Sequence, residues 1–261
     1  RATDNNGAAG SSSQVKINIA SGTTNSTSVS AASYRRVYMA PGAIAAAFGP
    51  ALASSTAAAP GTPLPTTLSG TQVSLKDSLG RQYQCQIFYV SPNQVNYLIP
   101  DSVSAGTAQV TITSTGKSPS SELLQITQAV PGLFSATADG VGLAAATITR
   151  ITAAGVRTDG NTVVYDQNQK KYVAIPVDMG ASGDRVFLIL YGTGLRGGVV
   201  NPSIQIGGIS IPVDYIGPQG SYIGLDQVNV LLPRTLIGRG EIPINLGVQG
   251  QVANTVTVSI K

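Results

Sequence analysis

The sequence predicts an all-β protein: two tandem immunoglobulin-like β-sandwich domains preceded by an extended N-terminal strand. Of the 261 residues, 42% are hydrophobic, 11% are charged and 5% are aromatic, a balance typical of proteins built from many short strands and turns. Each half of the chain contains about seven short alternating segments separated by Gly, Pro, Asn and Asp turns. No long amphipathic helical pattern accompanies them.

An internal repeat divides the chain into two domains. The segment "QVNYLIP" at residues 94–100 recurs as "QVNVLLP" at residues 227–233, and similar alternating strands follow each copy. We therefore predict a first sandwich over residues 28–128 and a second over residues 129–261. In the first copy we expect Gln94 and Asn96 to bind backbone groups at a corner of the sandwich.

The second copy carries an insertion, "TAAGVRTDGNTVVYDQNQKKYVAIPV". Its Asp-Gly-Asn triplet at residues 159–161 predicts a turn. The segment "VVYDQNQKKYVAI" that follows is typical of a β-hairpin. The short segment "AVPGLF", residues 129–134, joins the two copies and indicates a fixed angle between them.

Residues 1–27 form an N-terminal extension with one strand pattern, "QVKINIA", at residues 14–20. Val15, Ile17 and Ile19 alternate with Lys16 and Asn18, as in a strand with one buried face. Gly, Ser, Thr and Asn linkers flank the segment, so it has no local pairing partner. Because an ordered strand needs an open sheet edge to join, we predict that residues 14–20 are a donor strand. Its subunit-interaction residues are Val15, Ile17 and Ile19.

The absence of histidine and the presence of one cysteine remove His-based acid–base chemistry, Ser-His and Cys-His nucleophiles, and His or Cys zinc sites. We predict no enzymatic activity, no catalytic residue, no cofactor and no metal. Cys85 lies in "RQYQCQIFYV", where Tyr83, Cys85, Ile87 and Tyr89 share one face of a predicted strand. A buried, unreactive thiol is therefore expected.

Two further motifs suggest ligands but are explained better as turns. "YGTGLRGG" at residues 191–198 follows a strand, but no helix pattern follows it to hold a phosphate. Asp159, Asn161, Asp166 and Asn168 lack the alternate spacing and closing Glu of a calcium loop. We expect turn-forming roles for both groups.

Charge and hydropathy limit the partners. The formal charge of +4 comes from 16 scattered Lys and Arg against 12 Asp and Glu, without the clustering that binds nucleic acid. No apolar run reaches the ~18 residues of a membrane span. Because the chain begins with Arg1 and lacks a hydrophobic leader, we expect an exported protein, extracellular or at the cell surface, whose signal peptide has been removed.

Several motifs in fixed order resemble one known family. They are "VSAASYRRVYMAPGAIAAAFGPALA", "LPTTLSGTQVSL", "IFYVSPNQVNYLIP", "VPGLF", "ILYGTGL", "IQIGGISIPVDYIG" and "GLDQVNVLLP". From about Ser28 to Lys261 the chain resembles the Solibacter uncharacterised C-terminal domain family. The resemblance implies a pair of IPT/TIG-type immunoglobulin-like sandwiches on exported bacterial proteins and assigns no catalytic residues.

The donor strand gives the leading functional hypothesis. We expect a structural subunit of an extracellular filament, a head-to-tail homopolymer assembled by N-terminal β-strand addition. Both copies carry a closing strand, so we expect edge augmentation, or docking at the domain junction, and not the filling of an empty core. The alternative is an adhesion or carbohydrate-binding module for a surface glycan, since tyrosine, at ten residues, suits stacking on sugars.

Overall fold

A computed structural model describes residues 2–3, 9–10, 25–197 and 202–261. Within these residues the chain forms two immunoglobulin-like β-sandwiches, which confirms the predicted fold class. The predicted donor strand, residues 14–20, lies outside the described residues. The boundaries predicted for the two domains stay predictions.

The strands are numbered in chain order. Two short N-terminal strands pair with each other: β1 (Ala2–Thr3) and β2 (Ala9–Gly10). The first sandwich contains β3 (Thr27–Ser30), β4 (Tyr38–Met39), β5 (Ile44–Phe48), β6 (Ala57–Ala58), β7 (Thr67–Leu68), β8 (Thr71–Lys76), β9 (Gln82–Gln84), β10 (Ile87–Ser91), β11 (Gln94–Leu98), β12 (Gly106–Ser114) and β13 (Ser120–Ile126).

The second sandwich and its insertion contain β14 (Gly132–Leu133), β15 (Ala146–Ile151), β16 (Arg157–Asn161), β17 (Val163–Asp166), β18 (Lys171–Ala174), β19 (Arg185–Thr193), β20 (Ser203–Ile206), β21 (Ile209–Ile211), β22 (Tyr215–Pro218), β23 (Asp226–Leu231), β24 (Gly240–Val248), β25 (Gln251–Val252) and β26 (Val256–Ile260). A single 3₁₀ turn, Arg234–Leu236, lies between β23 and β24.

Each sandwich is made of two sheets. In the first, sheet 1 has the order β3-β5-β11-β10-β6 and sheet 2 the order β4-β13-β12-β8-β7, with β9 also paired to β8. In the second, sheet 3 has the order β16-β15-β19-β23-β22, with β14 on β19. Sheet 4 has the order β21-β20-β24-β25, with β26 on β24. The β17–β18 ribbon pairs with neither sheet.

Alternation along the strands explains both cores. Val73 and Leu75 of β8 are buried while Gln72 and Lys76 are exposed, and this period of two places one face of each sheet inside. One buried cluster lies between sheets 1 and 2 and another between sheets 3 and 4. Each sandwich thus has its own hydrophobic core.

One lateral seam of the first sandwich is bridged by Ser28. This residue of edge strand β3 donates from its backbone N to Glu122 Oε2 at 2.7 Å and from its hydroxyl to Glu122 Oε1 at 2.5 Å. Its hydroxyl also lies 2.8 Å from the buried Tyr97 hydroxyl. Since Glu122 belongs to sheet 2, the network fastens β3 to both sheets.

Close backbone contacts join the two sandwiches. The N–H of Ile44 donates to Thr193 Oγ1 at 2.9 Å, and Thr193 donates to the carbonyl of Gly224 at 2.8 Å. A Cβ on Gly224 would lie 2.6 Å from Ile44 Cγ1 and 2.8 Å from Leu98 Cδ1. Only glycine fits here, because φ is +77° as well.

Two local predictions are wrong. The triplet at residues 159–161 lies within β16, where Gly160 pairs with Ile148. Arg157–Asn161 pair in continuous register with β15, so the triplet extends a strand and forms no turn.

The segment around Cys85 is not one strand. β9 belongs to sheet 2 and β10 to sheet 1, so Tyr83 and Tyr89 lie in different sheets. The chain crosses between the sheets at Cys85, whose N–H donates to the carbonyl of Val73 at 2.8 Å. Alternation of apolar residues continues through the crossing because both strands face the same core.

Candidate interaction sites

The predicted interaction residues Val15, Ile17 and Ile19 lie outside the described residues. What the structure does describe is the surface that could receive such a strand. A receiving surface needs a sheet edge with unpaired backbone groups and apolar space beside it.

The two edges of sheet 4 differ. Along β26, the backbone N–H of Ala144 donates to the carbonyl of Thr257 at 2.9 Å, and that of Val177 donates to the carbonyl of Ser259 at 2.8 Å. These contacts cover the β26 edge. The opposite edge strand, β21, pairs only with β20, so its outer side is open among the described residues.

Hairpin geometry shows which groups of β21 are available. Gly207 and Gly208 connect β20 to β21 with φ of +57° and +79°, as in a type I′ two-residue turn. In this arrangement Ile206 and Ile209 exchange backbone hydrogen bonds. The next opposed pair, Gln205 and Ser210, exchanges none. The backbone N–H and C=O of Ser210 therefore face the open edge.

An apolar cleft lies beside that edge, at the lateral seam between sheets 3 and 4. Its volume is about 460 Å³. We call it the seam cleft, and its apolar lining is formed by Ile209, Ile211, Pro212, Leu231, Leu232 and Pro233.

Four charged side chains also line the seam cleft, and two of them are already bound. Asp184 accepts hydrogen bonds from Arg150 Nε at 2.8 Å and from backbone N–H groups, and Arg234 donates to three carbonyl oxygens. The other two, Asp214 and Arg185, are exposed, and their side chains have no ion-pair or hydrogen-bond partner among the described residues.

The first sandwich closes the corresponding seam. In β8–β9, Tyr83 lies opposite Leu75, the position that Ile209 occupies opposite Ile206 in β20–β21. The Tyr83 hydroxyl donates to the carbonyl of Ser102 at 3.0 Å, which joins sheet 2 to the loop after β11. The shorter Ile209 cannot make such a bridge.

Asp77 strengthens this closure. Its buried carboxylate accepts hydrogen bonds from five donors: the N–H groups of Leu79, Arg81 and Ser104, the Arg81 Nε and the Tyr83 hydroxyl. Burial alone would raise the pKa of Asp77, but these donors and the Arg81 charge together hold the pKa well below its usual range.

A second candidate surface is the outward face of sheet 3. Thr147, Thr149, Asp159, Tyr191 and Gln227 line a polar depression of about 520 Å³ there. Thr149 donates to Asp159 at 2.5 Å, and the Thr147 and Tyr191 hydroxyls lie 3.1 Å apart. Hydroxyl, carboxylate and amide groups beside a half-buried aromatic ring suit a polyhydroxylated ligand.

The repeated amide pair lies on the same kind of face in both sandwiches. Gln94 donates to Asn96 Oδ1 at 2.8 Å, and Gln227 donates to Asn229 Oδ1 at 2.7 Å. The side chains bind each other along one strand, so the expected backbone partners at a corner are wrong. Residues two apart on a strand point to the same face, which brings each pair together.

The glycine-rich segment after β19 already holds an internal anion. The buried Asp226 carboxylate accepts the N–H of Leu195 at 2.8 Å and Arg196 Nε at 2.6 Å. Burial raises the pKa of Asp226, and the contacts with Leu195 and Arg196 oppose this shift. A carboxylate therefore occupies the place that a phosphate would take.

The remaining chemistry-bearing groups have structural surroundings. Cys85 is buried, and burial raises the pKa of its thiol to about 12, as expected for an unreactive thiol. Asp166 accepts the backbone N–H groups of Asn168 and Gln169. In the described part of the chain, no three His, Cys, Asp or Glu side chains cluster as metal ligands. That part also has no helix of the length and apolarity required to cross a bilayer.

Comparisons of this chain with known proteins found low similarity in sequence and in structure. No family model matches the chain, and no curated protein matches it. A crystal structure of bovine butyrophilin is 11% identical over 86% of this chain and 94% of that one, with a TM-score of 0.27. A pair of tandem immunoglobulin domains of titin is 10% identical over 86% and 90% of the two chains, with a TM-score of 0.23. The fold assignment rests on the sheet arrangement itself.

Proposed function

We propose that this protein is a non-enzymatic structural subunit of an extracellular bacterial filament. Residues 14–20 of one subunit add as a strand to a sheet edge of the next, and repetition of this contact builds a head-to-tail polymer. The observation that carries the proposal is the open edge of β21, which has unpaired backbone groups at Ser210 and apolar space beside it. The bacterial and extracellular setting is inferred from the family resemblance.

The mode of addition follows from the complete cores. Sheets 2 and 4 contain their own closing strands, β13 and β26, and the residues of both cores are buried without an added strand. The added strand would therefore extend an edge of a folded subunit. Assembly and folding are then separate steps, unlike those of a subunit that needs a neighbour's strand to fold.

Replacing Ile17 by Asp tests strand addition directly. A carboxylate on the apolar face of the strand would have to enter an apolar cleft unpaired, which costs several kcal/mol. We expect electron microscopy to show no filaments of the Ile17→Asp variant, with an unchanged circular dichroism spectrum. The matched control is Asn18→Asp, which places the same charge on the opposite face and should assemble. Filaments of normal length from Ile17→Asp would refute the proposal.

The alternative is an adhesion or carbohydrate-binding module. The polar depression on the outward face of sheet 3, with Tyr191 and Gln227 in its lining, is the observation that favours it. A reproducible glycan ligand on an array, lost on replacing Tyr191 by Ala, would support this alternative. If the array shows no such ligand, the carbohydrate-binding alternative is refuted.

A further inference from the structure

The seam cleft and the open β21 edge form one continuous feature of the second sandwich. Ile209, Ser210 and Ile211 belong to the strand, and their side chains or backbone border the cleft. An extended segment lying along β21 would bind the outward N–H and C=O of Ser210 and place alternate side chains in the cleft. The site thus fits a strand with one apolar face.

Comparison of the two copies indicates that the cleft is specific to the second. In the first sandwich Tyr83 and Asp77 fill and bridge the seam. In the second, a two-residue turn and Ile209 leave the same seam open. The hairpins β8–β9 and β20–β21 lie at corresponding edges of sheets 2 and 4, so the open seam follows from these side chains and the shorter turn.

The residue pattern identifies the occupant. Residues 14–20 supply apolar side chains at alternate positions, Val15, Ile17 and Ile19. These side chains suit the apolar lining of the cleft, and Lys16 and Asn18 then face solvent. Arg185, whose side chain has no partner among the described residues, can donate to a carbonyl oxygen of the incoming strand.

The proposed polymer requires the occupant to come from another copy. The described chain begins again at Asn25, beside Gly49 at the end of β5 in the first sandwich, whereas the cleft belongs to the second sandwich. The two sandwiches meet at the other end of β5, where Ile44 contacts Thr193. The linker from residue 20 to residue 25 spans at most about 17 Å.

We infer that the seam cleft is the acceptor site for residues 14–20 of a neighbouring copy, which pair with the β21 edge and place Val15, Ile17 and Ile19 in the cleft. This inference rests on the proposed function and specifies its receiving surface. The leader precedes the first sandwich and the cleft belongs to the second. Each contact between two copies therefore leaves one leader and one cleft free for further subunits.

Backbone pairing is tested with proline. Ser210→Pro removes the outward N–H of β21 and leaves the β20 pairing intact, because that N–H is not part of it. The matched control is Gln84→Pro, at the corresponding edge position of the first sandwich. We expect Ser210→Pro to form no filaments and Gln84→Pro to assemble, with both variants folded by circular dichroism.

Crosslinking locates the contact even if a substitution disturbs folding. Subunits with Ile17→Cys and subunits with Ile209→Cys are mixed and oxidised, and we expect a disulfide-linked dimer that forms in the mixture only. The buried Cys85 does not compete. If Ile17→Asp blocks assembly but Ser210→Pro assembles and no crosslink forms, the cleft assignment is wrong while strand addition stands. Filaments from Ile17→Asp would instead refute strand addition itself.

Discussion

The two sandwiches have corresponding hairpins, β8–β9 and β20–β21, but differ at the seam beside them. In the first, Tyr83 spans from the edge of sheet 2 to the carbonyl of Ser102. In the second, Ile209 occupies the same position and a cleft of about 460 Å³ remains. A repeated domain can thus keep its core and change its surface through one side chain and one turn, which separates folding from recognition.

The copies also differ in how they hold a buried carboxylate. Asp77 of the first has five hydrogen-bond donors, and its pKa is held well below the usual range. Asp226 of the second accepts from Leu195 and Arg196 only, and burial raises its pKa. The number of donors decides whether a buried carboxylate favours its charged form.

Acidification should give the largest contrast between the sandwiches. The pKa of Asp77 is lower in the folded chain than its value of 3.8 in the unfolded chain. The carboxylate therefore stabilises the fold at pH values above 3.8, and this stability is lost progressively as the pH falls below 3.8. The effect of Asp226 on stability has the opposite sign, because its raised pKa favours the folded state as the pH falls. Other carboxylates of the second sandwich have lowered pKa values and offset the effect of Asp226: Asp139, Asp159, Asp166, Asp178 and Asp184.

We therefore expect the segments around Asp77 to lose protection from hydrogen exchange before those around Asp226 between pH 4 and pH 2, as measured by mass spectrometry. Earlier loss of protection around Asp226 would contradict this account of the two carboxylates.

Shortening a side chain at the seam to alanine should give the next largest effect. Tyr83→Ala removes a half-buried ring and a hydroxyl whose single proton is shared between the Ser102 carbonyl and the Asp77 carboxylate, so we expect a loss of about 3 kcal/mol in the free energy of unfolding. Ile209→Ala at the corresponding position should cost only about 1 kcal/mol, because its side chain borders an open cleft. Denaturant titration measures both, and equal losses would show that the two seams are energetically alike.

Removal of the leader should give the smallest effect. A chain lacking residues 1–22 keeps both cores and β3, so we expect a folded monomer whose melting temperature is nearly unchanged. Calorimetry and analytical ultracentrifugation test this. Aggregation or unfolding of the shortened chain would mean that the leader completes a core of its own subunit.

The sequence predicted the fold class because alternation and the internal repeat are local signals. Val73 and Leu75 point inward wherever β8 pairs, and "QVN" recurs at the same place in each copy. The crossing at Cys85 was missed because an alternating pattern does not show which sheet a residue joins. The turn expected at residues 159–161 failed because the pairing of Arg157–Asn161 with β15 overrides the turn preference of these residue types.

The seam cleft was also missed, since it depends on what lies across from Ile209 in space. One signal was present: the short Gly207–Gly208 turn replaces a longer loop containing Asp77 in the first copy. The sequence did point to residues 14–20 as a strand in need of a partner, and this stays a prediction.

The network at Ser28 has a mechanical consequence. In a filament joined through its leaders, tension enters each subunit at Asn25 and passes first into β3. Peeling β3 from β5 would have to break its backbone pairing and also the Ser28 bonds to Glu122. Because Glu122 lies in the opposite sheet, the load is shared across the whole first sandwich, and the strand that bears the pull is fastened on two sides.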